Sequence, residues 1–141
     1  MAVVINFSEA FIIGVHSLVV VSQAKSPVNL ETIAEGGNVM KNHASKVLQT
    51  LVKKGIMTSY KGPSGGFVLS KSTYDINMLD LYEMIEGPIA VEECPRSKHV
   101  CPFGNCLMGG IVARLSVEVR DFLAAHSLGS LLEGRLFPVC H

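Results

Sequence analysis

Apolar residues recur at helical spacing along most of this chain, interrupted by two short apolar runs around a glycine-rich turn, the pattern of paired strands. Residues 8–24 are apolar nearly all round. Phe11, Val15, Leu18 and Val19 form one stripe, and Ile12, His16 and Val20 make the opposite side apolar too. A helix of that kind is buried on more than one side, one meeting its own domain and the other a partner subunit. Ser8 is placed to cap it, and His16 reads as an interior histidine. Lys25-Ser26-Pro27 ends it. A short helix over 30–35 follows, with Asn29 as its cap, and Gly36-Gly37-Asn38 turns the chain into another. In that next helix, 41–54, Val47, Leu48, Leu51 and Val52 form a single stripe. Lys41, Asn42, Ser45, Lys46, Gln49 and Lys53 occupy the remaining surface. Gly55 stops it, with Lys53 and Lys54 in the last turn, where cations suit the helix dipole.

Residues 56–60 and 67–69 read as strands around the turn Lys61-Gly62-Pro63-Ser64-Gly65-Gly66. A further helix over 78–86 packs Leu79, Tyr82, Met84 and Ile85 and closes at Gly87-Pro88. Residues 88–106 have little periodicity. The pattern resumes from about Phe103 or Leu107 to Ala125, where Met108, Val112, Leu115, Val119 and Phe122 follow a 4-3-4-3 spacing. That is a coiled-coil seam, and it predicts dimerisation. Residues 127–132 have the pattern of a last helical turn.

The order of elements is helix, turn with glycine, second helix, then a hairpin with a basic, glycine-rich tip. It predicts a mainly α fold with a small β-hairpin wing: a winged helix-turn-helix domain plus a long C-terminal dimerisation helix. The expected division is 1–88 for the DNA-binding domain, 89–106 for a cysteine-containing loop, 107–126 for the dimerisation helix and 127–141 for a tail.

Charge sharpens this picture. The formal net charge is zero, yet residues 36–74 hold six Lys and no acid, while 75–93 hold six acids and no Lys or Arg. A basic block on a helix and a hairpin tip is the electrostatic footprint of a phosphate-backbone partner. Lys41, Asn42, His43, Ser45, Lys46 and Gln49 are the candidates for the major groove, and Tyr60, Lys61 and Ser64 for the backbone or minor groove. The acidic segment should face away from DNA.

With 48% hydrophobic and 17% charged residues, the chain is not of disordered composition. The longest apolar run, 11–21, is about half a membrane span, and no basic residue precedes it as in a signal peptide. The expectation is a cytoplasmic protein without membrane or small-molecule substrate. In that compartment four cysteines are ligands or redox thiols sooner than structural disulfides.

Cys94, Cys101 and Cys106 lie in the aperiodic stretch with spacing C-x6-C-x4-C, and Pro95 and Pro102 stiffen it. Soft thiolates suit an iron–sulfur cluster, 2Fe–2S or 4Fe–4S, whose usual complement is four ligands. Zinc is the second reading, since Cys101-x4-Cys106 barely meets its short-pair spacing. A thiol–disulfide switch, or no ligand at all, completes the set. Neither a nucleophile–base arrangement nor a phosphate-binding loop is visible, so an enzyme is disfavoured; a winged helix serving purely as a protein-interaction module is the other class.

These residues resemble the Rrf-two family of winged-helix transcription regulators, the IscR- and NsrR-like proteins. Pro27-Val28 through Ile33-Ala34 is similar to the family's first helix-turn-helix helix, and Lys46 through Ile56 to its recognition helix. Lys61-Gly62-Pro63-Ser64-Gly65-Gly66-Phe67 is similar to its wing, and 76–87 to the helix after it. The family's three-cysteine loop falls on Cys94, Cys101 and Cys106. The resemblance implies a homodimer that binds an operator under control of an iron–sulfur cluster. It also implies a fourth ligand from elsewhere, for which Glu9 of the partner subunit is the first candidate, followed by His99 and Cys140. Met40 stands where the family carries a Ser cap, so that either Asn38 caps the helix instead or the helix start is shifted.

Overall fold

The computed structural model describes residues 1–91 and 102–134. Helix α1 (Glu9–Gln23) starts where Ser8 accepts a hydrogen bond from the Phe11 N–H. Helix α2 (Leu30–Gly37) starts at Asn29, whose side chain accepts from the Thr32 N–H at 2.8 Å. These side-chain acceptors satisfy amides that no helical carbonyl can reach. Helix α3 (Lys41–Lys53) has no such help: Met40 occupies the cap position without a side-chain bond. Asn38 does not cap α3. It takes the left-handed conformation (φ 51°) that closes α2, and its N–H bonds back to that helix.

Strands β1 (Met57–Tyr60) and β2 (Gly66–Leu69) pair antiparallel, with Met57 opposite Leu69 and Tyr60 opposite Gly66. Val28, just before α2, adds an antiparallel bridge to Phe67 through bonds of 3.0 and 2.8 Å. The wing stem is thereby stitched to the start of the helix-turn-helix. Gly66 makes this possible: its φ is +148°, and a Cβ there would lie 2.6 Å from the Val28 backbone.

A 3-10 turn (Thr73–Asp75) leads to α4 (Met78–Glu86), capped by Asn77. Helix α5 (Ile111–Ala125) starts later than the apolar seam suggests. Gly109 and Gly110 both have positive φ and hold the chain out of helix, so Met108 lies in a turn and the dimer-type stripe begins at Val112. Helix α6 (Leu128–Glu133) is capped by Ser127 and Ser130, each hydroxyl accepting the other residue's N–H.

The core lies where α1 crosses α2, α3 and α4. Ile13, Leu18, Ile33, Leu48, Leu51, Ile56, Met57, Ile76 and Leu81 are fully buried there. Phe7, Phe11 and Tyr82 extend it as an aromatic cluster with ring centroids 5.1–6.0 Å apart. His16 is exposed, contrary to its reading as an interior residue. The buried side of α1 runs through Phe11, Gly14, Ser17, Leu18 and Val21, and His16 lies off it. Among the described residues no helix is long and apolar enough to cross a membrane.

Candidate nucleic-acid interface

Helix α3 buries Ala44, Val47, Leu48 and Leu51 against the core. At about 100° per residue, the opposite side of the helix carries Asn42, Lys46, Gln49 and Lys53 in one outward row. All four are exposed. Ser45 borders this row, and the Gln49 amide donates to its hydroxyl at 3.4 Å. Lys53 is absent from the groove-facing residues expected above, because its place in the last turn also suits a helix-end cation. The spacing 42, 46, 49, 53 was its available signal, since those intervals repeat one helical face.

Lys41 and His43 belong to the flanks. The Lys41 ammonium donates to Glu31 Oε1 on α2 at 2.8 Å. That hydrogen bond and the accompanying charge hold the Glu31 carboxyl below the usual carboxylate range. On the other flank, His43 Nδ1 lies 3.5 Å from Glu9 Oε2 in the first turn of α1. Two residues chosen from the sequence for different roles, Glu9 and His43, are thus neighbours.

The wing tip is a tight turn closed by the Gly65 N–H on the Gly62 carbonyl at 3.0 Å. Tyr60, Lys61 and Ser64 are exposed on it. The acidic helix α4 packs against α1, α3 and α5.

Among the described residues, no group of three or more His, Cys, Asp or Glu side chains is placed to hold a metal ion. Cys94, His99, Cys101 and Cys140 lie outside those residues. Cys106 is exposed in the turns ahead of α5, and Glu9 is exposed at the start of α1. On α5, Leu123 is buried in the core and Val119 of the predicted seam packs against it, while Val112 and Phe122 of that seam are 36% and 40% exposed.

Known proteins share this arrangement. The family model Rrf2, described as an iron-dependent transcriptional regulator, matches residues 7–134. A protein of Aquifex aeolicus (strain VF5), named "Putative HTH-type transcriptional regulator", is 30% identical over 118 residues, covering 79% of this chain and 82% of that protein. The transcriptional regulator IscR of Vibrio vulnificus (strain YJ016) is 28% identical over 109 residues, and the match spans 77% of this chain but 64% of IscR. In fold, the chain resembles CymR, the global cysteine regulator of B. subtilis, with TM-score 0.70 and 21% identity over 92% of this chain and 97% of that one. T. potens IscR gives TM-score 0.71 at 20% identity, over 92% and 88% of the two chains. A helix-turn-helix with a two-stranded wing and a family match across most of its length place this chain in the Rrf2 (Rrf-two) family of transcriptional regulators, which are not enzymes.

Proposed function

We propose that the chain is a cytoplasmic, homodimeric DNA-binding regulator whose operator binding responds to an iron–sulfur cluster, or to the redox state, at its cysteine loop. The observation that carries the DNA part is the exposed row Asn42, Lys46, Gln49 and Lys53, presented beside a wing with Lys61 at its tip. Asn and Gln suit adenine edges, and Lys suits guanine edges or phosphate. In a two-fold dimer the two α3 helices would enter successive major grooves, roughly 34–36 Å apart. The exposed Val112 and Phe122, with the half-buried Leu115 between them, support a second copy packing along α5.

The donor chemistry fits a cluster. Cys94, Cys101 and Cys106 supply soft thiolates, and Glu9 of the partner subunit is the candidate for a fourth ligand. When bound, such a group would supply sensitivity to iron supply, oxidation or nitric oxide. The chain's own part is to place these cysteines directly ahead of α5 in sequence, so that a group bound by them biases the helix carrying the dimer stripe. Zinc or a thiol switch at the same cysteines is the competing form of the sensor.

Two measurements test this. Anaerobically purified protein should be brown, with matching iron and acid-labile sulfide, and alanine at 94, 101 and 106 should remove both. Operator affinity should differ between the loaded and stripped forms; equal affinities refute the coupling. Salt-independent or absent DNA binding would instead point to a protein-interaction module.

A further inference from the structure

Lys41 is the first residue of α3, the end of a recognition helix that meets base edges and phosphates in helix-turn-helix proteins. Its ammonium is engaged with Glu31 at 2.8 Å, although both side chains are more than half exposed. Nothing in the packing forces this pair, because either side chain can swing into water. Residues 36–74 carry no acid of their own, so the carboxylate that meets this cation is brought in from α2 by the fold. We infer that Glu31 is a built-in competitor of DNA phosphate for Lys41, lowering affinity and salt sensitivity by holding one recognition-helix cation in an internal ion pair. This rests on the DNA-binding reading above.

The physics is a direct exchange. A phosphate oxygen that takes Lys41 must displace a carboxylate already at contact distance, and the freed Glu31 then faces the polyanion. An exposed pair of this type is weak, because water screens both charges. It is therefore displaceable, and its effect is graded. Glu31 is ionised at neutral pH as any exposed glutamate is, and Lys41 lowers its pKa further. Glu35, one turn further along α2 and also exposed, is the control for charge alone.

The test is a double-mutant cycle on the full chain with a mixed-sequence duplex, titrated over a range of salt. Glu31→Gln should tighten binding about two- to five-fold per protomer at low salt. It should also steepen the plot of log affinity against log salt by up to about one per protomer. In a Lys41→Gln background both changes should shrink to the level of Glu35→Gln, which reports the effect of charge alone and should be distinctly smaller. Three results overturn the inference: weaker or unchanged binding by Glu31→Gln, equal tightening by Glu35→Gln, or equal tightening without Lys41. If the unmodified chain shows no salt-dependent binding at all, the DNA-binding reading fails instead. Thermal melts on each variant separate these outcomes from loss of fold.

Discussion

The Asn77 side chain bolts α5 to α4: its amide donates to the Ala124 carbonyl at 2.9 Å, while its oxygen accepts from the Leu79 and Asp80 N–H groups. The backbone reinforces the joint. The Met78 N–H donates to the His126 carbonyl at 3.0 Å and the Leu128 N–H to the Ile76 carbonyl at 2.8 Å. Asn77→Ala removes both the cap and the inter-helix bond. The expected loss is about 1–3 kcal/mol of stability, measured by denaturant unfolding. Asn77→Asp keeps the cap but not the donor, so it should recover only part of that loss.

The wing depends on Gly66. A Cβ there would collide with the Val28 backbone, and the residue's φ disfavours any other amino acid. Gly66→Ala should break the Val28–Phe67 bridge and cost on the order of 1–3 kcal/mol. DNA affinity should fall with it, and amide exchange should show lost protection at Val28 and Phe67.

Lys46 and Lys53 occupy the same exposed face of α3. Each alanine substitution should weaken binding to duplex DNA and reduce the salt slope by about one if the contact is to phosphate. A Lys53→Ala protein that binds with unchanged affinity and slope would remove Lys53 from the interface. Undiminished binding by Lys46→Ala and Lys61→Ala combined would remove the whole surface.

The Glu31–Lys41 pair gives a pH signature. The folded-state pKa of Glu31 is depressed, so its contribution is fully present above the ordinary carboxylate pKa and fades as pH falls through the depressed value. A carboxyl chemical-shift titration should place its midpoint below that of an unpaired glutamate, and Lys41→Gln should restore it. Tyr74 has the opposite sign: its hydrogen bond to Glu133 raises the phenol pKa, so that contribution is lost as pH rises through the raised value. An ultraviolet titration of the phenolates follows it.

Local chemistry made much of this protein legible in its sequence. Ser8, Asn29 and Gly55 mark helix ends because capping and left-handed backbone are short-range effects. The stripe Val47, Leu48 and Leu51 names the inward side of α3, and helical period then places Asn42, Lys46 and Gln49 outward, with Lys53 on the same side and Lys41 and His43 on its flanks. The glycine-rich turn between two apolar runs identified the wing. The tertiary structure decided what long-range packing controls. It placed His16 in solvent, moved the start of α5 to Ile111, and gave Asn38 to the end of α2. It brought Glu31 onto Lys41 and Glu9 beside His43, pairs separated by 10 and by 34 positions (43 − 9). No periodicity encodes such meetings, because they depend on how α1 and α2 cross α3, and that crossing is fixed by the shared core.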